Sequence, residues 1–243
     1  MVDSFSDVWL PSTLQPEVAI DKNDWITAEA TADYWWAWCH VLRQEIPLVY
    51  DLGCQTGYGS RILVEQNKAR VVGYDANAAA LAYARGEYQV ADRNTFHRID
   101  FNVEWRAILE KERPKLIVAF DLLPRLKHRD LFLLNLAELV PDDGWVFLSA
   151  WHLEEQQGGV TALSEDAAYR VLYRRDQLRQ LLQRFFEEVF VRDDEGFPEP
   201  GYFDYLYAYA AKSMTGVSQQ GESFAQVSFG RRVFACHKPR RSR

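Results

Sequence analysis

Val49-Tyr-Asp-Leu-Gly-Cys-Gln-Thr-Gly-Tyr-Gly-Ser60 is the stretch on which the fold turns. It begins inside a short apolar run, Leu48 to Leu52, and passes through Gly53, Gly57 and Gly59 directly into a segment of helical period. A buried strand that runs through glycines into a helix places the turn at the carboxyl edge of a sheet, which is where open α/β folds bind ligands. The three glycines permit positive φ and a close backbone approach. Asp51, at the strand end, can accept a hydrogen bond from a charged or amino group. A tight strand-to-helix turn, with the glycines serving local geometry alone, is the competing reading of the same residues.

Working outward, short apolar runs alternate with helical periods, as in a parallel sheet covered by helices. Strands are expected at Leu48–Leu52, Arg70–Tyr74, Thr95–Ile99, Lys115–Phe120 and Trp145–Ala150. Crossover helices are expected at Ser60–Gln66, Asn77–Glu87, Val103–Lys111 and Arg129–Leu139. Beyond Ala150 the rhythm changes to a polar loop around 153–170, a helix over Asp176–Phe186, and two further strands at Glu187–Val191 and Arg231–Cys236. Between those strands lies an aromatic-rich insertion at about 194–230, too long for a plain connector. Residues 1–45 read as a helical lid or packing arm, with Trp25, Tyr34, Trp35, Trp36 and Trp38 on a helix that Asp24 or Thr27 caps. Residues 46–243 form the single main domain.

Twenty-four residues after Asp51, the second strand ends in Gly73-Tyr-Asp75, and an acid there suits the two hydroxyls of a ribose. The dinucleotide fingerprint Gly-x-Gly-x-x-Gly, started at Gly53, demands glycine where Gln55 and Tyr58 stand, so an NAD-dependent oxidoreductase fails on spacing. A phosphate-binding P-loop fails as well, because no Lys-Ser or Lys-Thr follows the glycines.

Composition narrows the partners. A formal charge of -7 opposes nucleic acid as a primary partner. Cys39, Cys54 and Cys236 are too scattered for a disulfide framework, and no Cys or His spacing matches a metal site, which favours a reducing cytoplasm. The acidic start lacks the features of a secretory signal, and no apolar run approaches the roughly 18 residues of a membrane span. Aromatic residues make up 14% of the chain with eight Trp, more than a core alone requires, so some are expected to line a pocket or an interface. A homodimer through Trp35, Trp36 or Trp38 is one use for them, and core packing of their helix is the other.

The motif as a whole resembles that of the class I S-adenosylmethionine-dependent methyltransferases, in particular their small-molecule and glycan-tailoring branch. The likeness continues through Val71-Val-Gly-Tyr-Asp-Ala76, Arg98-Ile-Asp-Phe101, Leu116-Ile-Val-Ala-Phe-Asp-Leu-Leu123 and Leu139-Val-Pro-Asp-Asp-Gly-Trp-Val-Phe-Leu148. It implies a Rossmann-like, doubly wound, seven-stranded and mostly parallel sheet, with the last strand antiparallel and helices on both faces. By the same resemblance S-adenosyl-L-methionine is the cofactor and S-adenosyl-L-homocysteine its product. Asp51, Gly53, Gln55 and Gly57 would surround the amino-acid part of the cofactor, Asp75 and Ala76 the ribose, and Asp100 and Phe101 the adenine. Asp121 would lie near the methyl donor and face the acceptor. Two positions depart from the family: Gln55 replaces a glycine, and the segment that often reads Leu-Glu-His-Leu is Leu123-Pro-Arg-Leu126.

Displacement at a sulfonium chiefly needs alignment, so a fixed catalytic group is not always required. Where an oxygen or nitrogen acceptor must lose a proton, His152 after the fifth strand is the best-placed base, with Asp121 to orient the acceptor and His128 a weaker alternative. The expected activity is methyl transfer to an O or N atom of a small-molecule or sugar-containing acceptor. A catalytically silent protein of the same fold, acting as a binding partner or scaffold, is the rival reading that Gln55 motivates.

Overall fold

The computed structural model describes residues 33–34, 36–38, 40–41, 44–65, 68–103, 105–109, 112–151, 161–162, 171–172, 175–191 and 231–238. Strands β1 (Leu48–Leu52), β2 (Arg70–Asp75), β3 (Asn94–Arg98), β4 (Leu116–Phe120), β5 (Gly144–Trp151), β8 (Glu188–Val191) and β9 (Arg231–Lys238) form one seven-stranded sheet in the order β3-β2-β1-β4-β5-β9-β8. The first five run parallel, and β9 pairs antiparallel with both β5 and β8. The expected sheet, including its antiparallel last strand, is present.

Alternation along each strand builds two cores. Tyr50, Leu52, Val72, Tyr74, Ile117, Ala119, Val146 and Leu148 belong to one core, with Phe132, Leu133 and Leu136 of α4 (Arg129–Leu139) and Leu178 and Leu182 of α5 (Arg175–Gln183). Val49, Val71, Leu116, Val118, Phe120 and Phe147 belong to the other, with Leu63 of α1 (Tyr58–Leu63) and the helical residues Tyr34, Trp36, Ala37 and Val41. Every residue of β4 is buried, the signature of a central parallel strand covered on both faces. Trp36 is stacked on Phe147 with ring centroids 4.1 Å apart, and Trp38 donates its indole N–H to the Glu65 carbonyl. Trp36 therefore serves the interior and is not open to a dimer partner. Trp35 and Trp25, the 194–230 insertion and most of the 153–170 loop lie outside the described residues.

Three departures from expectation have local reasons. The first helix starts at Tyr58, two residues early, because Gly57 at φ 84° closes the turn after β1 and takes the N-cap position immediately before it. The helix expected over Val103–Lys111 is four residues, Arg106–Leu109 (α3), because the Asp100–Val103 turn occupies its start. The polar loop contains a two-residue ladder, β6 (Thr161–Ala162) against β7 (Val171–Leu172), too short to leave an alternation in the sequence. α2 (Ala78–Glu87) is capped by Asn77, whose side chain accepts from the Ala79 and Ala80 amides. Among the described residues no helix is long and apolar enough to cross a membrane.

Candidate functional site

The parallel strands β1 to β4 end on one edge, and the strand order reverses there between β1 and β4, with β2 on one side of β1 and β4 on the other. The turn after β1 is held to β2 by its backbone: the Gly53 and Cys54 amides both donate to the Tyr74 carbonyl, at 2.7 and 3.1 Å. Gly53 and Gly57 adopt φ of 76° and 84°, and Gln55 between them adopts 49°. Left-handed backbone costs a residue with a Cβ roughly 1–2 kcal/mol. A compensating contact is present, since the Gln55 amide donates to Asp75 Oδ2 at 3.0 Å.

Asp75 therefore organises the edge. Its Oδ1 accepts from the Asn77 amide at 2.8 Å, so one carboxylate pins both the turn after β1 and the start of α2. Burial raises its pKa, opposed by the Asn77 and Gln55 amides and by the Arg125 charge. A carboxylate oxygen has two acceptor sites, so one amide on each leaves capacity for a vicinal diol. The left-handed turn, the half-buried Asp75 carboxylate and the edge position together fit an adenosyl cofactor. Gln55 is the one misfit, a side chain where bare backbone was expected.

Asp51, in β1, bonds to other elements of the chain. It is fully buried, and its oxygens accept from Tyr34 Oη at 2.9 Å and Ser60 Oγ at 2.5 Å. The carboxylate thus fastens the N-terminal helix and α1 beneath the turn. Burial pushes its pKa from 3.8 up to about 7, against the two hydroxyl donors. Between about pH 4 and 7 the folded chain therefore holds more protons at this site than the unfolded chain, so stability falls as pH rises through that window. The urea midpoint is expected to be higher at pH 5 than at pH 8, and Asp51→Asn should shrink that difference. An unchanged difference in the variant would assign the pH dependence to other groups.

Gly59 and the ring of Phe101 separate from the cofactor expectation. Gly59 lies in α1 under the Tyr34 ring, which fills the space its Cβ would take, so packing and not ligand approach requires glycine there. The Phe101 ring is 5% exposed and packs edge-on against Trp105 and Phe132, which leaves only its main chain for the edge. Asp100 is exposed and its Oδ1 accepts from the amide and the side chain of Asn102, whose own Oδ1 accepts from the Lys127 amide. Ala76 is exposed beside Asp75.

Asp121 follows β4 at φ 60°, its amide donating to both the carbonyl and the hydroxyl of Ser149 at 3.1 Å. It pairs with Arg125, whose Nε donates to the Asp121 carbonyl at 2.8 Å. His128 is exposed just before α4. His152 lies outside the described residues. Sequence reading gave Ser60 and Arg125 no role in the site and weighed Tyr34 chiefly toward packing; the spacing of four between Asp121 and Arg125 was a signal for Arg125 alone. Cys54 and Cys236 are free and buried. Among the described residues no group of three His, Cys, Asp or Glu side chains is placed to hold a metal ion.

Residues 45–185 match the family described as methyltransferase domain. No curated protein matches the chain by sequence. Among solved structures, the plantazolicin methyltransferase BamL, in complex with a triazolic desmethylPZN analog and SAH, is similar at 15% identity and TM-score 0.62, over 94% of this chain and 92% of that one. Human N-acetylserotonin methyltransferase in complex with SAM is similar at 11% identity and TM-score 0.60, over 98% and 60%. An O-methyltransferase family protein from Burkholderia thailandensis is similar at 10% identity and TM-score 0.58, over 91% and 58%. The chain spans between about half and three-fifths of the first solved structures it resembles. At these identities the likeness establishes the fold.

Proposed function

The chain belongs to the methyltransferase-domain family, and from that premise we propose that it binds S-adenosyl-L-methionine at the β1–β4 edge and transfers the methyl group to an oxygen or nitrogen of a small-molecule or sugar-containing acceptor. The observation that carries this reading is the Asp75 carboxylate, bound to the Gln55 and Asn77 amides beside a left-handed turn and still able to take a diol. When bound, the cofactor supplies an electrophilic methyl carbon on a sulfonium. The chain's own contribution is position: Gly53, Gln55 and Gly57 present backbone to the amino-acid part, Asp75 with Ala76 takes the ribose, and Asp100 with the Phe101 main chain borders the adenine.

Asp121 orients the acceptor in this proposal, and His152 takes its proton where the nucleophile carries one. The acceptor's chemical class rests on the -7 charge, which disfavours a nucleic-acid substrate, and on the aromatic excess, which suits a ring or sugar face. Free, buried Cys54 and Cys236 are in keeping with a proposed cytoplasmic site of action.

Calorimetric titration with S-adenosylmethionine and S-adenosylhomocysteine tests the reading, and micromolar binding is the expected result. A folded chain that binds neither at millimolar concentration would overturn it and favour the silent scaffold, for which left-handed Gln55 in the cofactor turn is the specific support.

A further inference from the structure

Gln55 holds left-handed backbone at φ 49° between Gly53 and Gly57, the two glycines that share this conformation in the same turn. Asp92, Asp121 and Asp143 also have positive φ, and aspartate enters this region readily because its short side chain bonds locally; glutamine has no such ease. The residues on either side of Gln55 are buried. Cys54 and Thr56 are each 2% exposed, and the Cys54 side chain packs with Leu81, Ala84 and Phe96, whereas Gln55 is half-buried. The interior face of the turn therefore belongs to Cys54 and Thr56, and the Gln55 carboxamide stands on the face that opens at the strand edge. Its backbone amide, 3.0 Å from Asp75 Oδ2, keeps it beside the carboxylate assigned to the ribose.

The same turn has spent backbone donors on its own structure. The Gly53 and Cys54 amides go to the Tyr74 carbonyl, the Gln55 amide to Asp75, and the Gly57 amide to the Cys54 carbonyl. Asp75, Asp100 and Asp121 add acidic groups to this edge, and Arg125 is paired with Asp121. An anionic group that approaches the turn needs a side-chain donor in place of those four amides. We propose that Gln55 is a specificity-determining residue of the cofactor site, its carboxamide N–H donating to the α-carboxylate of S-adenosylmethionine. The inference rests on the methyltransferase reading, which brings the amino-acid part of that cofactor to the Gly53–Gly57 turn. Carbonyls of the turn suit the α-ammonium, and glutamine supplies a donor for its anionic neighbour without adding a further charge. The strain of a left-handed glutamine is thus kept for a ligand, as strained backbone often is at binding sites.

S-adenosylmethionine and its decarboxylated form differ in the carboxylate alone, so calorimetric titration of the full chain with both isolates this contact. Gln55→Gly relieves the left-handed strain, and its urea midpoint is expected to equal or exceed that of the wild type. The same variant is expected to bind S-adenosylmethionine roughly tenfold more weakly, the size of one lost hydrogen bond to a charged group, while its affinity for the decarboxylated form stays within about twofold. Gln55→Ala, which keeps the Cβ and the strain, should show the same selective loss and serves as the test if glycine loosens the turn. A folded variant whose loss for S-adenosylmethionine is below about fivefold, or is equal for the two ligands, overturns the proposal. Tighter binding of S-adenosylmethionine by Gln55→Gly overturns it too and marks the side chain as an obstruction. Failure of the folded wild-type chain to bind S-adenosylmethionine overturns the cofactor reading itself, and this inference falls with it.

Discussion

Asp75→Ala is expected to bind S-adenosylmethionine and S-adenosylhomocysteine at least a hundredfold more weakly than the wild-type chain while keeping the fold. Two losses add. The Gln55 and Asn77 amides lose their acceptor, at 3.0 and 2.8 Å, so the left-handed turn is no longer pinned to the end of β2. The ribose loses its carboxylate partner in the same substitution. Hydrogen bonds to a charged group contribute about 1.5–3 kcal/mol each, and about 2.8 kcal/mol already corresponds to a hundredfold in affinity. The fold survives because the backbone bonds at this corner do not use the side chain: Gly53 and Cys54 still reach the Tyr74 carbonyl, and Ile99 still donates to the Asp75 carbonyl. Asp75→Asn should fall between the two, since its amide nitrogen cannot accept from a backbone N–H. Titration of both variants, with urea unfolding to verify the fold, checks the claim. A loss smaller than tenfold in a folded Asp75→Ala chain would remove Asp75 from cofactor recognition.

The sheet was legible in the sequence because a strand buried on both faces leaves a continuous apolar run, and β1 and β4 are such strands. Asp75 was legible for a related reason, as an acid closing the apolar run Val71-Val-Gly-Tyr74 at a fixed distance from the glycine turn. The Asp51 network was not. Tyr34 and Asp51 are 17 residues apart on different elements, and nothing in periodicity or composition says that a helix before β1 folds back to place a hydroxyl on the carboxylate beneath the turn. Gly59 was misread through the same gap, because a glycine required by a neighbouring ring looks in sequence like a glycine required by a ligand. Phe101 shows the limit of carrying a motif over by position. Its place in the chain agrees with the family pattern, and its ring is committed to the core with Trp105 and Phe132.

The buried seat of Tyr34 gives the second large effect: Gly59→Ala is expected to lower the stability of the chain by about 2–4 kcal/mol. An alanine Cβ at this position falls on the Cζ, Cε1 and Cε2 atoms of the Tyr34 ring. The ring cannot simply slide, because Tyr58 and Phe120 stand edge-on to it at 5.6 and 4.9 Å and its hydroxyl is bonded to Asp51. Overpacking costs about 1–3 kcal/mol. If Tyr34 is expelled instead, a buried carboxylate loses a donor, at about 1–3 kcal/mol, along with the packing of the ring. Alanine's better helix propensity returns only about 1 kcal/mol in α1, so the sign stays unfavourable. The mechanism makes a sharper claim than the magnitude. In a Tyr34→Ala background the space is open, and Gly59→Ala should then be neutral or stabilising by up to about 1 kcal/mol, a strong positive coupling between the two sites. Urea unfolding of the four chains of this cycle measures it, and additive effects would show that the ring is not what requires glycine at position 59. Since Ser60, the next residue, holds the other oxygen of Asp51, a displaced Tyr34 should also disturb the turn above it and weaken cofactor binding in proportion to the lost stability.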